Sequence, residues 1–180
     1  MSDAKKIHHV FILMGVSGSG KSAVATGIAQ KIGAAFLDGD FLHPRANIKK
    51  MAAGHALNDS DRLPWLKALS DAIFAMQRMN NISLIACSAL KKKYRDILRN
   101  SNQHLSFLYL EGDFKLIESR FKKRKNYFFK PNMLVSQFDT LEVPNNDEKD
   151  VYVIDIKLPL IEVIDNTVKL INEIITKENK

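Results

Sequence analysis

Short apolar runs alternate with amphipathic segments along most of the chain. Such runs, when turn residues bound them, are typical of fully buried strands. The segments between them repeat apolar residues every three or four positions, which predicts helices. The predicted strands are 10–14, 35–37, 83–86, 105–110 and 151–156. The predicted helices are 22–32, 44–51, 91–99, 113–125 and 160–175, and one that runs from cap residues at 58–60 to about 79.

Strands that alternate with helices favour a three-layer α/β/α fold, in which helices cover both faces of a five-stranded parallel sheet. A chain of 180 residues suits one core, and we expect a single domain over residues 1–180. The alternation weakens between 125 and 150, where paired phenylalanines, two prolines and an acidic, asparagine-rich tip occur. We expect a mobile insertion with a short helix there, at about 125–145, and not a second domain.

Polar clusters follow three of the predicted strands, at residues 15–22, 38–45 and 88–95. Ligands of parallel α/β sheets bind at the carboxyl ends of the strands. The sequence therefore predicts one site at which these three clusters meet.

The first cluster holds three of the chain's eight glycines. Its sequence, GVSGSGKS, matches G-x-x-x-x-G-K-S/T, the phosphate-binding P-loop. In such a loop the backbone N–H groups face an anion, the lysine reaches the outer phosphates of a nucleoside triphosphate, and the serine ligates Mg²⁺. A flexible turn is the alternative, but the position between a strand and a helix favours a nucleotide site. The candidate nucleotide-binding residues are Gly15, Val16, Ser17, Gly18, Ser19, Gly20, Lys21 and Ser22, with Lys21 also catalytic and Ser22 also the metal ligand.

A P-loop alone does not define a reaction. The sequence has no N-K-x-D guanine motif and no apolar strand that ends in an adjacent Asp-Glu pair. These absences disfavour a GTPase and many ATPase motors, and the short chain favours a kinase for a nucleotide or a metabolite.

The net charge of the chain excludes few classes of binding partner. Lys and Arg number 27 and Asp and Glu number 20, for a net charge of +7, which favours anionic partners or is simply a solvated basic surface. Binding of nucleic acid would need aromatic residues interleaved with basic ones, and the sequence lacks that pattern. The single cysteine, Cys87, allows no disulfide within the chain, and no apolar run is long enough to span a membrane. We expect a cytoplasmic protein that binds a small molecule and neither nucleic acid nor membrane.

The second and third clusters suggest the acceptor side of the site. Asp40 follows the second strand, where a carboxylate could take the proton of an acceptor hydroxyl or hold a metal-bound water. The alternative is a cap for the helix that follows. Single cations near strand ends are usually surface charges, but as a set they suit a polyhydroxylated carboxylate, because arginine binds a carboxylate through two hydrogen bonds. The candidate substrate residues are Asp40, His43, Arg45, Arg62, Lys91 and Arg95.

Four segments give the chain a specific resemblance. They are GVSGSGKS, GDFLHPRANIKKMAAGHALNDSDRLPWL, CSALKKKYRDILR and GDFKLIESRFKKRKNYFFKPNMLVSQFDTLEVP. From Phe11 to about Asp155 the chain resembles the small gluconate kinase family, P-loop kinases related to shikimate and adenylate kinases. Ala56 stands where the family usually has proline, and Asn126-Tyr127 where it often has Gly-His.

The resemblance implies ATP-dependent phosphorylation of D-gluconate at its 6-hydroxyl with Mg²⁺, a homodimer and a mobile lid. Arg120 and Arg124 are four residues apart and so share a helix face. By resemblance to related kinases, one such arginine lies near adenine and the other, Arg124, is catalytic on the transferring phosphoryl group. A solvated basic helix is the alternative for this pair. The alternatives for the whole chain are a kinase for shikimate or another polyol acid, and a basic P-loop protein that binds nucleic acid.

Overall fold

Five parallel strands form the central sheet in the computed structural model, which describes residues 7–100, 102–123 and 131–179. The strands are β1 (His9–Met14), β2 (Ala35–Asp38), β3 (Ile82–Ala86), β4 (Leu105–Glu111) and β5 (Val151–Asp155), in the spatial order β2-β3-β1-β4-β5. Each predicted strand is present within one residue at either end. The order places β1, and the loop that follows it, at the centre of the sheet.

Helices connect the strands. They are α1 (Lys21–Ile32), α2 (Arg45–Ala52), α3 (Asp59–Met79), α4 (Lys92–Arg99), α5 (Phe114–Lys123), α6 (Pro131–Thr140) and α7 (Leu160–Glu178). The short helix expected in the weakly patterned segment is α6. The sequence reasoning missed a turn of 3₁₀ helix at Gly39–Leu42, which begins directly after β2.

The side chains of β1 alternate between two cores, as a strand buried on both faces requires. Val10 and Ile12 pack with α3 and α4, whereas Phe11 and Leu13 pack with α1, α5 and α7. The predicted three-layer α/β/α architecture is therefore confirmed. None of the helices in the described ranges combines the length and the apolar composition that a membrane crossing requires.

Candidate active site

The loop between β1 and α1 has the strand–loop–helix context that the P-loop motif predicts. Gly15, Gly18 and Gly20 adopt φ values of 142°, 81° and 96°, which disfavour any residue with a Cβ atom. A Cβ atom on Gly18 would lie 2.5 Å from the ring of Phe121. Gly20 is the residue before α1, so the unpaired amides of the helix start at this loop. The backbone geometry of this loop is therefore the one that the P-loop motif predicts.

The side chain of Lys21 folds back over the same loop. Its Nζ donates hydrogen bonds to the carbonyl oxygens of Gly15 and Val16, both at 3.1 Å. Burial lowers the pKa of Lys21, and the nearby carboxylate of Asp40 opposes that change. Asp40, on the predicted acceptor side, therefore lies near enough to Lys21 to act on its charge.

Ser22 and Asp38 form a pair of oxygen donors beside the loop. The hydroxyl of Ser22 donates to Asp38 Oδ2 at 2.7 Å, and Asp38 Oδ1 accepts a hydrogen bond from the backbone N–H of Asp40 at 3.1 Å. Hydroxyl and carboxylate oxygens suit Mg²⁺. The sequence reasoning did not select Asp38, although an acidic residue at the end of β2, two positions before Asp40, was a signal that could have found it.

A close backbone contact directs Asp40 outward. A Cβ atom on Gly39 would lie 2.5 Å from the carbonyl oxygen of Ala86, so only glycine allows β2 and β3 to end this close together. The Gly39 carbonyl also accepts a hydrogen bond from Trp65 Nε1 at 2.8 Å. The side chain of Asp40 is 82% exposed. Pro44 precedes α2, and the described contacts there include no side-chain cap, so the helix-cap interpretation of Asp40 is not supported.

His43 lies next to Asp40 and is largely buried. Its ring stacks on Trp65 with the ring centres 4.3 Å apart, and its Nε2 lies 4.0 Å from Asp40 Oδ1. Burial lowers the pKa of His43, the carboxylate of Asp40 raises it, and the guanidinium of Arg62 lowers it. The imidazole is therefore neutral near pH 7 and can hydrogen-bond a hydroxyl group without adding charge.

Arg62 and Lys91 meet at the ring of Tyr94. The Arg62 guanidinium carbon lies 5.7 Å from the ring centre and Lys91 Nζ lies 5.6 Å from it. Lys91 also pairs with Asp59 at 3.1 Å. The Nε of Arg62 is buried and has no hydrogen-bond partner within the described ranges. The two cations lie close together on the predicted acceptor side, and such a pair suits an anionic ligand.

Arg95 has a different role from the predicted one. Its side chain is 1% exposed and forms a two-pronged ion pair with Glu148, at 2.7 and 2.6 Å. The remaining N–H groups donate to the carbonyl oxygens of Ala89, Leu90 and Glu142. All five donors of the guanidinium are thus used inside the protein. The prediction that Arg95 binds substrate is wrong because Glu148, 53 residues away, takes its charge.

The other arginines that the sequence assigns to the site lie in different places. Arg45 is exposed at the start of α2. Arg120 donates to the carbonyl oxygen of Ser19 at 3.4 Å and to that of Ile156, so it lies against the phosphate loop. Arg124, with the paired phenylalanines and Asn126-Tyr127, lies outside the described residues.

A cavity of about 320 Å³ adjoins the phosphate loop at the start of α1. Gly18, Ser19 and Gly20 form one wall, and Arg120 lies on another. Its apolar lining includes Ile156, Leu158, Leu160 and Val163. An apolar cavity that opens onto a phosphate cradle has the arrangement that a nucleotide base and its phosphates need.

Cys87 lies in the same region but does not suit nucleophilic chemistry. It is fully buried, and burial raises the pKa of its thiol to about 12. The thiol therefore stays protonated near pH 7, as expected of a small core residue.

Comparisons with known proteins agree with this geometry. The family model described as Shikimate kinase matches residues 17–173. The chain is 62% identical to the thermoresistant gluconokinase of Escherichia coli, over 96% of this chain and 99% of that protein. The chain belongs to the gluconokinase family. It is also 49% identical to the thermosensitive gluconokinase of the same organism, over 81% of this chain and 78% of that protein.

A solved structure extends the agreement to three dimensions. A gluconokinase from Sinorhizobium meliloti superposes with a TM-score of 0.85 at 34% identity, over 96% of this chain and 97% of that one. Membership of the gluconokinase family confirms the resemblance seen in the four sequence segments. The chain is thus a kinase with the P-loop kinase fold, and the alternative of a nucleic-acid-binding P-loop protein is not supported.

Proposed function

We propose that the protein transfers the γ-phosphoryl group of ATP to the 6-hydroxyl of D-gluconate, which gives ADP and 6-phospho-D-gluconate. The observation that carries this proposal is the 62% identity to a gluconokinase over 96% of the chain. The site supports it because Ser22, beside the phosphate loop, donates a hydrogen bond to Asp38, which also accepts one from the N–H of Asp40 on the acceptor side. Donor and acceptor substrates can therefore meet in one cleft.

The phosphate loop would hold the triphosphate of ATP. The amides of Gly15, Ser17 and Ser19 donate to Ser88, Gln137 and Val16 within the protein. The other loop amides and the start of α1 would therefore face the phosphates, and Lys21 would place its ammonium group on the β- and γ-phosphates. The apolar cavity with Leu158 and Leu160 would take the base. Arg120 contacts the phosphate loop on that side, and we assign it to the nucleotide.

The oxygen atoms of Ser22 and Asp38 fit a magnesium ion, because they are hard donors 2.7 Å apart beside the phosphate loop. When bound there, Mg²⁺ would neutralise part of the phosphate charge. Asp38 also accepts a hydrogen bond from the backbone N–H of Asp40. Asp38 would therefore bind the metal ion and also position Asp40.

Asp40 is the proposed general base. Its carboxylate takes the proton of the gluconate 6-hydroxyl as the oxygen attacks the γ-phosphorus, and the bond from that phosphorus to the β–γ bridging oxygen breaks. The electron pair leaves on ADP. Lys21 and Arg124 would stabilise the charge that develops on the transferring group.

The gluconate carboxylate requires a cation on the acceptor side. Arg62 is one candidate, because its guanidinium lies near His43 and, with Lys91, against the ring of Tyr94. Arg45 and Lys91 are further candidates, and the neutral imidazole of His43 is available to a hydroxyl group.

The mobile lid at about 125–145, the homodimer and the cytoplasmic location expected from the sequence remain proposals as well.

A substrate panel tests the proposal. ADP release is measured with MgATP and D-gluconate, shikimate, D-glucose or a nucleoside monophosphate at equal concentrations. We expect gluconate to give the highest turnover, and glucose to be poor because it leaves the carboxylate-binding cations unpaired. The Lys21→Met variant, checked for an unchanged circular dichroism spectrum, is the background control. Faster turnover with shikimate or a nucleotide would contradict the proposed substrate.

A further inference from the structure

Three potential metal ligands lie together where the central strands begin, at the end of the sheet opposite the phosphate loop. His9 is the first residue of β1, His104 precedes β4, and Glu178 is the last residue of α7. Their ligand atoms lie within 4.8 Å of one another. Strands rise about 3.3 Å per residue, so the length of β1 separates His9 from the phosphate loop by about 16 Å. We call this group the sheet-edge cluster.

The distances within the sheet-edge cluster suit coordination of one ion. Glu178 Oε2 forms a hydrogen bond with His9 Nδ1 at 2.8 Å, which a bound ion would replace, and lies 3.3 Å from His104 Nδ1. Ligands of a tetrahedral zinc ion at about 2.1 Å are separated by roughly 3.4 Å. The side chain of His9 is fully buried, whereas His104 and Glu178 are 42% and 31% exposed. The cluster therefore has a rigid inner ligand and an open side from which an ion and a water molecule can enter.

The buried histidine is also oriented by its surroundings. His9 Nε2 lies 3.0 Å from the hydroxyl of Ser106, which is itself buried, and the ring stacks on Phe11 at 4.3 Å. Metal-binding histidines commonly donate their second ring N–H to such an acceptor. On the other side, the carbonyl oxygen of His104 accepts a hydrogen bond from the backbone N–H of Val10 at 3.0 Å.

We propose that the sheet-edge cluster binds a divalent transition metal ion of the zinc class through His9 Nδ1, His104 Nδ1 and a carboxylate oxygen of Glu178. Two imidazoles and one carboxylate are a donor set that zinc prefers and that Mg²⁺ does not. A water molecule completes the coordination. The bound ion links β1, the start of β4 and the end of α7, so it stabilises the attachment of the last helix to the sheet.

Titration with zinc alone tests the proposal. The metal-free full-length protein is titrated with Zn²⁺ by calorimetry, without nucleotide because phosphates bind metals. We expect one site per chain, and an affinity at least about tenfold lower in His104→Asn and in Glu178→Gln, since even partners outside the coordination shell change metal affinity 10–100-fold. Both changes are at partly exposed side chains and spare the buried His9. At a zinc concentration of about 100 times the dissociation constant, the melting temperature of the unmodified protein should rise by about 5 °C or more.

His8→Asn is the matched control. His8 is adjacent to His9 in sequence, but its Nδ1 lies 2.8 Å from the carbonyl oxygen of Gln77, so this variant should keep the zinc affinity. Ser106→Ala should lower the affinity about tenfold by releasing the ring of His9. Equal zinc affinity in the unmodified protein and in the double variant His104→Asn/Glu178→Gln would overturn the proposal, as would the absence of a zinc-dependent rise in melting temperature.

Discussion

Asp40 combines exposure with a fixed backbone. Asp38 holds its N–H, and the close contact of Gly39 with Ala86 sets the direction of the chain. The side chain itself is 82% exposed, so a change of Asp40 to Asn should alter stability by no more than about 0.5 kcal/mol. Chemistry and stability can therefore be separated at this residue.

We expect Asp40→Asn to lower kcat by about 10²-fold or more, because the amide cannot accept the proton of the acceptor hydroxyl. The KM for gluconate should change little, since the amide keeps the shape of the carboxylate. Steady-state kinetics at saturating MgATP, beside a thermal melt, give both quantities. An unchanged kcat with a lowered melting temperature would mean that Asp40 is structural.

At the scale of single residues, the sequence predicted well those positions that belong to a motif of fixed spacing. It could not predict a role that depends on a partner far away in the sequence. The residues of the phosphate loop follow from a spacing whose strand–loop–helix context the structure confirms. The burial of Arg95 could not be foreseen, since its partner Glu148 lies in a segment with no regular pattern. Asp38 was missed because its role depends on the hydrogen bond with Ser22, 16 residues earlier in the chain, which no local pattern shows.

At the scale of elements, α3 illustrates how a local signal sets a boundary. The side chain of Asn58 accepts a hydrogen bond from the N–H of Asp61 at 2.9 Å, and Asp61 accepts one from the N–H of Asn58 at 2.8 Å. Asn58 is a residue type that favours the cap position, which is why the start of α3 was predicted closely, whereas the return hydrogen bond to Asp61 was not predicted. The 3₁₀ turn at Gly39–Leu42 was not predicted, because it depends on the tertiary contact of Gly39.

We expect Asn58→Ala to destabilise the protein by about 1 kcal/mol, which is typical for loss of a helix cap. For a chain of this size that corresponds to a fall in melting temperature of roughly 2–4 °C. Asn58→Ser keeps a capping oxygen and is the control, with a smaller change expected. Urea unfolding with an unchanged m-value would show that the loss lies in the folded state, and equal stability of the two variants would contradict a capping role.

At the scale of the whole molecule, one ion-pair network joins segments that are distant in sequence. Glu148 pairs with Arg95 of α4 at 2.6 Å and with Arg99 at 2.7 Å, and Arg99 also pairs with Asp150, directly before β5. The network thus attaches the chain that follows α6 to the layer of α4. It also holds in place the carbonyl oxygen of Glu142, which accepts a hydrogen bond from Arg95.

This network predicts how stability depends on pH. Arg95 and then Arg99 lower the pKa of Glu148 from 4.5 to about 2 despite its burial. Because the pKa in the folded protein is below that of the unfolded chain, the stabilisation is complete above about pH 4.5 and is lost as the pH falls toward 2. Glu148→Gln leaves the buried guanidinium of Arg95 unpaired and should cost about 3–5 kcal/mol at pH 7.

Urea unfolding of the unmodified protein and of Glu148→Gln at several pH values between 7 and 3 checks this. The difference in free energy of unfolding between the two proteins should be largest at pH 7 and should shrink steadily below about pH 4.5. Acid protonates Glu148 in the unmodified protein and so removes the charge that the Glu148→Gln variant lacks at every pH. Glu142→Gln is the control, because its carboxylate is exposed and accepts a hydrogen bond from the backbone N–H of Lys92, which the amide oxygen can also accept, so this change should cost little. A difference between the proteins that stays constant from pH 7 to pH 3 would show that Glu148 contributes through packing and not through its charge.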